Sequence, residues 1–120
     1  MALVQVLLDQ RPGPLPLTGT FVAKSSDPLD FIVNGVSIRK LGTPNGAAGV
    51  EIVIKDSTGK EVGYTSGTIA GDVVGARRAI VSQWGQSNLK PGETYSFTVQ
   101  GVNAECASDG KDFYTAIIIY

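Results

Sequence analysis

The sequence predicts an all-β antiparallel β-sandwich of about eight strands, in a single domain that spans residues 1–120. Three observations lead to this prediction. Apolar residues recur at every second position in most segments, which is the period of a half-buried strand. Fifteen glycines and six prolines punctuate these segments, as many short turns require. Hydrophobic residues make up 42% of the chain and charged residues 18%, which is an ordinary globular composition.

Two strands are predicted within residues 15–39. Residues 15–23 form one of them and follow a proline-rich segment that turns the chain. Residues 29–39 form a longer strand, in which Asn34-Gly35 interrupts the alternation by one residue. A β-bulge at this dipeptide would return both halves of the strand to the core face. The side chains expected to face the core are Phe31, Val33, Val36 and Ile38.

A β-hairpin is predicted over residues 50–65. Val50, Ile52 and Ile54 alternate with residues of the opposite face, as in a strand with one buried side. Gly59 can adopt the positive φ angle that a tight turn needs, and a second alternating segment follows it.

Three further segments differ in how clearly they can be interpreted. Residues 42–49 are predicted to be a loop, because turn-forming residues dominate them. Residues 66–76 are small and rich in glycine, and they show no strand period. Alternation returns over residues 79–84, which predicts another strand.

A sharp corner is predicted within residues 89–103, LKPGETYSFTVQGVN. Pro91 fixes φ and Gly92 can take a left-handed conformation, so the two residues make a compact turn. A tyrosine just past such a corner can bury its ring and return its hydroxyl to the backbone near the turn. The residues expected on the core face of the following strand are Tyr95, Phe97 and Val99.

This segment resembles the corner and penultimate strand of fibronectin type III and related immunoglobulin-like domains. In those families a leucine, a Pro-Gly and a tyrosine recur at this spacing, followed by alternating apolar positions. The early strand lacks the buried tryptophan that the family carries, and the chain is longer by a strand or two. Jelly-roll sandwiches, including lectins and carbohydrate-binding modules, use similar corners. The resemblance therefore implies a jelly-roll or immunoglobulin-like sandwich.

The two terminal strands share an unusual pattern. Residues 3–8 and 115–120 are apolar on both faces, as in strands that are covered on both sides. Either loops or a neighbouring subunit must cover them, and an exposed apolar edge would otherwise promote aggregation. Burial of about 400 Å² would contribute about 10 kcal/mol before the entropy of association is subtracted. The pattern favours a homo-oligomer.

Charge and residue usage argue against several classes of function. Ten basic residues face eleven acidic ones, for a net charge of −1, so no basic field exists to bind nucleic acid or an anionic membrane. Histidine is absent, which removes the commonest general base and metal ligand. No nucleophile-elbow motif occurs, and no apolar stretch is long enough to insert into a membrane as a helix. The sequence predicts a protein that is not an enzyme.

Two features concern the location of the protein. The single cysteine, Cys106, cannot close an intramolecular disulfide, so it gives no indication of redox compartment. The N-terminal residues lack the positively charged leader of a signal peptide. We therefore expect a cytoplasmic protein, or one that is released by a route without a signal peptide.

A carbohydrate site is the leading functional hypothesis. Sugar rings offer apolar C–H faces and paired hydroxyls, which aromatic rings and amide or charged groups recognise. If residues 64–78 fold over one end of the sandwich, several such side chains converge there, although the alternation also allows Trp84 to be a core residue. The candidate ligand-binding residues are Tyr64, Asp72, Arg77, Arg78, Trp84, Gln86 and Asn88.

Calcium is a weaker hypothesis. Glu105, Asp109 and Asp112 lie within eight residues and carry the oxygen ligands that calcium prefers. Their spacing matches no calcium loop, and a solvated turn with Lys111 as counter-charge is the favoured interpretation. No cofactor is predicted.

Taken together, these patterns favour a non-catalytic, lectin-like carbohydrate-binding module that forms homo-oligomers. The alternative is a structural or assembly protein, such as a phage, virion or surface-appendage component. That protein would self-associate through its apolar terminal strands.

Overall fold

A computed structural model describes residues 3–12, 15–37, 47–70, 77–84, 89–101 and 113–120. Strands and turns account for all of these residues. The strands are β1 (Val4–Pro12), β2 (Leu17–Val22), β3 (Leu29–Ser37), β4 (Ala47–Lys55), β5 (Glu61–Ala70), β6 (Arg77–Trp84), β7 (Thr94–Gly101) and β8 (Phe113–Ile119).

The strands form two four-stranded antiparallel sheets. Sheet A has the order β1-β8-β3-β6 and sheet B the order β2-β7-β4-β5. Strand β1 pairs with β8, β2 with β7, β3 with β6 and β4 with β5, so the chain is one long hairpin with its tip at β4–β5. Rolling this hairpin up adds the β3–β8 and β4–β7 pairs. The predicted antiparallel sandwich is confirmed, and its strand order is that of a jelly roll rather than that of an immunoglobulin-like domain.

The core lies between the two sheets and consists of every second residue of the paired strands. Phe97 lies near its centre, with its ring centroid 6.2 Å from that of Phe21 and 6.1 Å from that of Phe31. The inward positions predicted in β3, β4 and β7 are buried, except that Ile38 and the side chain of Val36 lie outside the described residues. The buried apolar residues are Leu8, Leu17, Phe21, Ala23, Leu29, Phe31, Val33, Val50, Ile52, Ile54, Leu89, Tyr95, Phe97, Val99, Tyr114, Ala116 and Ile118.

The predicted β-bulge in β3 is confirmed. The pairing of β3 with β6 shifts register between Asn34 and Val36, and Gly35 between them has a φ of 103°. A Cβ atom at this position would overlap the backbone carbonyl oxygen of Phe113 in the neighbouring strand β8. Glycine is therefore required at residue 35 both by its backbone angle and by the close approach of the next strand.

The β4–β5 hairpin closes on the side chain of Asp56. The Asp56 Oδ1 atom accepts hydrogen bonds from the Thr58 backbone N–H (2.9 Å), the Thr58 hydroxyl (2.6 Å) and the Lys60 backbone N–H (3.1 Å). Gly59 has a φ of 87° and donates its N–H to the Asp56 carbonyl. The predicted hairpin is confirmed, and its turn is organised by one carboxylate that satisfies three donors.

This turn is expected to make the unfolding free energy depend on pH in the acidic range. Hydrogen bonds, chiefly that from the Thr58 hydroxyl, lower the pKa of the Asp56 carboxyl below its usual value. Because the pKa of Asp56 is lower in the folded state than in the unfolded state, these hydrogen bonds stabilise the fold fully above the unfolded pKa. Their stabilisation is lost as the pH falls through the lowered, folded-state pKa. Urea unfolding in this acidic range should show a shallower pH dependence in Asp56→Asn, which cannot titrate. If the unfolding free energy of this variant depends on pH as steeply as that of the unchanged protein, the proposed role of the carboxylate is contradicted.

The predicted corner at residues 89–103 is confirmed in detail. Gly92 has a φ of 88°, and the Glu93 N–H donates to the Lys90 carbonyl to close the turn. The Tyr95 ring is buried, and its hydroxyl accepts a 2.8 Å hydrogen bond from the Lys90 N–H. The Gly92 N–H also donates to the Ala23 carbonyl, so the corner is tied to the end of β2.

Replacing Tyr95 with phenylalanine tests this corner. The change keeps the buried ring but leaves the Lys90 N–H without its acceptor, so we expect a loss of about 1–2 kcal/mol in unfolding free energy. The matched control is Tyr64→Phe, which removes a hydroxyl from an exposed ring and should cost less than about 0.5 kcal/mol. Urea unfolding followed by circular dichroism measures both. Equal effects for the two variants would show that the corner hydrogen bond adds no particular stability.

The structure corrects two expectations about segments rich in small residues. Residues 47–49 were predicted to belong to a loop, but they begin β4, where Gly49 pairs with Thr68. Residues 66–70 show no strand period, yet they complete β5. Each segment is held in an extended conformation because it pairs with the other. The residue pattern of one segment alone does not show this pairing. Residues 42–46 and 71–76 lie outside the described part of the chain.

Tyr120 joins the two chain ends to sheet B. Its N–H donates to the Leu3 carbonyl, and its hydroxyl donates to Gln5 Oε1 at 2.8 Å. The same hydroxyl accepts a hydrogen bond from the Lys24 N–H at 3.2 Å. Gln5 in turn donates its Nε2 to the Val22 carbonyl at the end of β2. This network fixes the edge strand β1 against both its sheet partner and the opposite sheet.

Candidate functional site

The predicted ligand-binding residues are distributed over both sheets. Tyr64 lies in β5, an edge strand of sheet B, and its side chain is exposed. Arg77, Arg78 and Trp84 lie in β6, an edge strand of sheet A that runs beside β5. Asp72, Gln86 and Asn88 lie outside the described residues, as do the side chains of the three β6 residues.

The backbone separates two parts of the predicted site. Arg78 pairs with Val36 near one end of β6, and Trp84 pairs with Leu29 at the other end. Six residues of extended chain span roughly 20 Å. The backbones of the arginine pair and of the tryptophan therefore lie at opposite ends of β6.

Tyr64 is held by a neighbour that lies diagonally across the sheet. It is paired with Val53 of β4, and its hydroxyl donates a 2.9 Å hydrogen bond to Oε2 of Glu51, which lies two residues before Val53 in the same strand. Such diagonal neighbours are within reach of an aromatic side chain that extends across the sheet surface. The hydrogen bond with Glu51 is the main cause that raises the pKa of the Tyr64 hydroxyl, so the hydroxyl keeps its proton at neutral pH.

Glu51 and Gln100 complete a cluster around Tyr64 that sequence reasoning missed. Gln100 pairs with Glu51 across β7 and β4, and its Nε2 donates to Glu51 Oε1. Both carboxylate oxygens are thus oriented by neutral donors, one on each neighbouring strand. Glu51 and Gln100 each occupy an outward position of an alternating strand, and this pattern indicates from sequence alone that both side chains lie on an outer face. Their contact depends on the pairing of β4 with β7, which the sequence pattern does not reveal.

The outer face of sheet A differs in character, because an apolar row crosses all four of its strands. Val6 pairs with Ile117, Ile117 with Ile32, and Ile32 with Val81. Paired residues of an antiparallel sheet share a face, and the alternate positions Phe31 and Ile118 are buried inward.

A second row beside the first extends this apolar surface. Val4 pairs with Ile119, which pairs with Asp30. Val4, Val6 and Val81 are 54%, 60% and 53% exposed, while Ile117 and Ile119 are half-buried. We call the following residues the apolar face: Val4, Val6, Ile32, Val81, Ile117 and Ile119.

The position of the apolar face bears on the terminal strands. The sequence predicts that these strands are apolar on both sides, and the structure brings them together as the pair β1–β8. One side of the pair enters the core through Leu8, Ala116 and Ile118. The other side forms half of the apolar face, and in a single copy Val4 and Val6 remain exposed.

The remaining site hypotheses receive little structural evidence. The calcium candidates Glu105, Asp109 and Asp112, and also Cys106, lie outside the described residues. Within the described ranges, no three acidic, cysteine or histidine side chains gather as metal ligands would. The described residues also include no helix that is long and apolar enough to cross a membrane.

No protein-family model matches the sequence, and no curated protein is similar to it at a significant level. The resemblance of residues 89–103 to a fibronectin type III corner therefore remains a prediction about a short segment.

Proposed function

We propose that this protein is a non-catalytic structural or assembly module whose partner is a second copy of itself. The observation that carries the proposal is the apolar face on the outside of sheet A. The outer face of a two-layer sandwich normally meets water and is polar. Here three valines remain about half exposed on it, in register with isoleucines from β3 and β8.

Association through the face is favoured over association through the edge of β1. The pairing of β1 with β8 shifts register twice, between Val6 and Leu8 and between Leu8 and Arg11. Gln10 has a φ of 48°, and Pro12 ends the strand. Bulges and proline are devices that prevent an edge strand from pairing with another chain. Of these two surfaces, the outside of sheet A is therefore the one that is open to a second copy.

A second copy is the occupant that best matches this surface. Asp30 is the charged side chain among the described members of the two rows, so the surface offers little to a charged partner. Apolar patches of this kind characterise homodimer interfaces. A two-fold axis would bring the same rows of two copies together. With a net charge of −1, two copies repel each other weakly.

The dimensions of sheet A limit the area that association through its outer face could bury. Four strands about 4.8 Å apart and seven residues of about 3.3 Å each give a face of roughly 440 Å² in flat projection. Two copies together contribute roughly 900 Å² of projection, and their accessible area is larger because side chains protrude. Stable interfaces bury about 1,200–2,000 Å² in total. We therefore expect a dimer at the weak end of this range, one that dissociates on dilution.

Replacing Val6 with lysine tests the proposal. The change places a charge at the β1 end of the apolar row, where the apolar side chains of a partner copy could not solvate it. We expect the unchanged protein to dimerise with a micromolar dissociation constant and Val6→Lys to be monomeric at all concentrations. Sedimentation velocity over a wide concentration range measures both. Val81→Lys, on the opposite edge strand of sheet A, should give the same result if Val6→Lys folds poorly.

The matched control is Val22→Lys. Val22 is an exposed valine on the edge strand β2 of sheet B, so this variant should dimerise as the unchanged protein does. A protein that stays monomeric up to millimolar concentration would refute the proposal. So would lysine variants of Val6 and Val81 that dimerise normally.

Carbohydrate binding is the second proposal, and one observation favours it. Tyr64, a member of the predicted site, keeps 56% of its surface exposed although its hydroxyl is fixed by Glu51. An exposed, oriented aromatic ring is a suitable platform for the apolar face of a sugar. A glycan array tests this proposal. Binding of a defined glycan class supports it, and no binding at millimolar sugar refutes it.

A further inference from the structure

The outer face of sheet B contrasts with the apolar face of sheet A. Its strands pair so that polar side chains line up across the sheet, with Gln100 beside Glu51 and Glu51 beside Ser66. Thr98 and Tyr64 flank Val53 in the next row. The sandwich therefore has one apolar and one polar outer surface, and the polar one contains the exposed ring of Tyr64.

The Tyr64 ring is oriented before any ligand arrives. Its hydroxyl is 2.9 Å from Glu51 Oε2, and Glu51 lies diagonally across from it on β4. A ring that reaches a diagonal neighbour lies over the sheet and turns one face to solvent. With 56% of the side chain exposed, that face is open to a ligand, and the hydrogen bond reduces the rotamer entropy that binding would remove.

Glu51 is oriented in the same way. Its two carboxylate oxygens each accept one hydrogen bond, from the Tyr64 hydroxyl and from Gln100 Nε2. Both donors are neutral side chains. An ionised carboxylate has about four lone-pair sites in all. Each oxygen can therefore accept a further hydrogen bond from a hydroxyl group.

We propose that Tyr64, Glu51 and Gln100 form a saccharide subsite on the outer face of sheet B. A sugar ring stacks its C–H face on the Tyr64 ring, and hydroxyls at its edge donate to Glu51. This inference rests on the carbohydrate-binding proposal and names a different site from the one predicted at residues 64–88. It shares Tyr64 with that site and replaces its other members by two residues of β4 and β7.

The chemistry of the subsite selects a class of ligand. A flat, open sheet face can contact one side of an extended chain but cannot enclose a single sugar. Both oxygens of Glu51 are held by neutral donors, so the negative charge of the site disfavours acidic sugars. The expected ligand is a neutral oligosaccharide.

Titration of the ¹⁵N-labelled protein with neutral hexasaccharides tests the inference. The probes are cellohexaose, maltohexaose and chitohexaose, with a sialylated oligosaccharide as the acidic comparison. We expect one neutral probe to shift the amide resonances of β4, β5 and β7, and the acidic probe to shift none. Tyr64→Ala should weaken binding roughly tenfold through loss of the stacked ring. Glu51→Gln should weaken it to a similar extent through loss of a charged acceptor.

Two further variants test the role of the Tyr64 hydroxyl and the assignment of the subsite to sheet B. Tyr64→Phe keeps the ring and should lose only about two- to fivefold in affinity, because the ring loses its hydrogen bond to Glu51. Val81→Lys, on the opposite sheet, should bind as the unchanged protein does, whether or not it dimerises. A loss of binding in Val81→Lys would overturn the assignment of the subsite to sheet B.

The titration also distinguishes this inference from the proposal on which it rests. Shifts confined to residues 77–88 would overturn the subsite at Glu51 while leaving carbohydrate binding in place. Absence of shifts with every probe in the titration, together with a blank glycan array, would overturn both. Shifts on β4, β5 and β7 that are lost in Tyr64→Ala would support both.

Discussion

Gly35→Ala is expected to lower the unfolding free energy by about 4 kcal/mol, as the sum of two costs of about 1–3 kcal/mol each. The first is backbone strain, because Gly35 has a φ of 103°. The second is steric, because the new Cβ would overlap the Phe113 carbonyl oxygen of β8. Domains are stable by about 5–15 kcal/mol, so the variant should lose between about a quarter and most of its stability. Urea unfolding followed by circular dichroism measures the loss.

Gly59→Ala provides the matched control. Gly59 has a similar φ of 87°, but a Cβ there would meet no atom within 4 Å. The control therefore carries the conformational cost alone, about 1–2 kcal/mol. The difference between the two variants isolates the close approach of β3 and β8 at the bulge. If both variants lose the same stability, that close approach is not as the structure describes it.

Phe97→Ala is expected to cost about 3–5 kcal/mol, in the range of large-to-small substitutions in a core. Phe97 is 1% exposed, and its ring lies between Phe21 of sheet B and Phe31 of sheet A. Removal of this ring leaves a cavity at the contact between the two layers. Thermal and urea unfolding should both report the loss. Val22→Ala, at an exposed position of the neighbouring strand β2, should cost less than about 0.5 kcal/mol.

A double-mutant cycle sharpens this prediction. Gly19 is paired with Phe97, and a Cβ at Gly19 would lie 2.8 Å from two atoms of the Phe97 ring. Gly19→Ala alone should therefore cost about 1–3 kcal/mol through overpacking. In the Phe97→Ala background the same change fills space and its cost should disappear, which gives a coupling energy of similar size. Additive effects would contradict the close packing of the two residues.

The parts of the fold that were predictable from sequence are those specified within a short segment. Asp56 and Gly59 mark the β4–β5 turn, and the Asn34-Gly35 dipeptide marks the bulge. Pro91-Gly92 followed by Tyr95 marks the corner, and the hydrogen bond from the Lys90 N–H to the Tyr95 hydroxyl follows from that local geometry. Each of these features depends on residues fewer than ten positions apart.

The order of strands could not be predicted, because it depends on pairs that are distant in sequence. Val4 pairs with Ile119, and no periodicity within either segment indicates the other as its partner. The corner at residues 89–103 occurs in both jelly-roll and immunoglobulin-like sandwiches, so it does not choose between them. The same limitation explains why residues 47–49 and 66–70, which pair mainly with each other, were not predicted as strands.

In the candidate sites, too, single residues could be predicted from sequence but their distant partners could not. Tyr64 was identified from its type and neighbourhood, but its partners Glu51 and Gln100 come from strands that only the fold brings together. The apolar character of the terminal strands was evident in the sequence. Only the register of sheet A shows that the outward residues of the two terminal strands form a row with Ile32 and Val81.

The pairing of β1 with β8 has a consequence for how the protein is made. Contacts between residues so far apart in sequence raise the contact order, which slows folding because a long loop must close first. During synthesis β1 leaves the ribosome long before its partner strand β8. Sheet A therefore cannot close until Ile119 has emerged. Until then the nascent chain exposes the apolar residues of β1, which have no strand of sheet A to pair with.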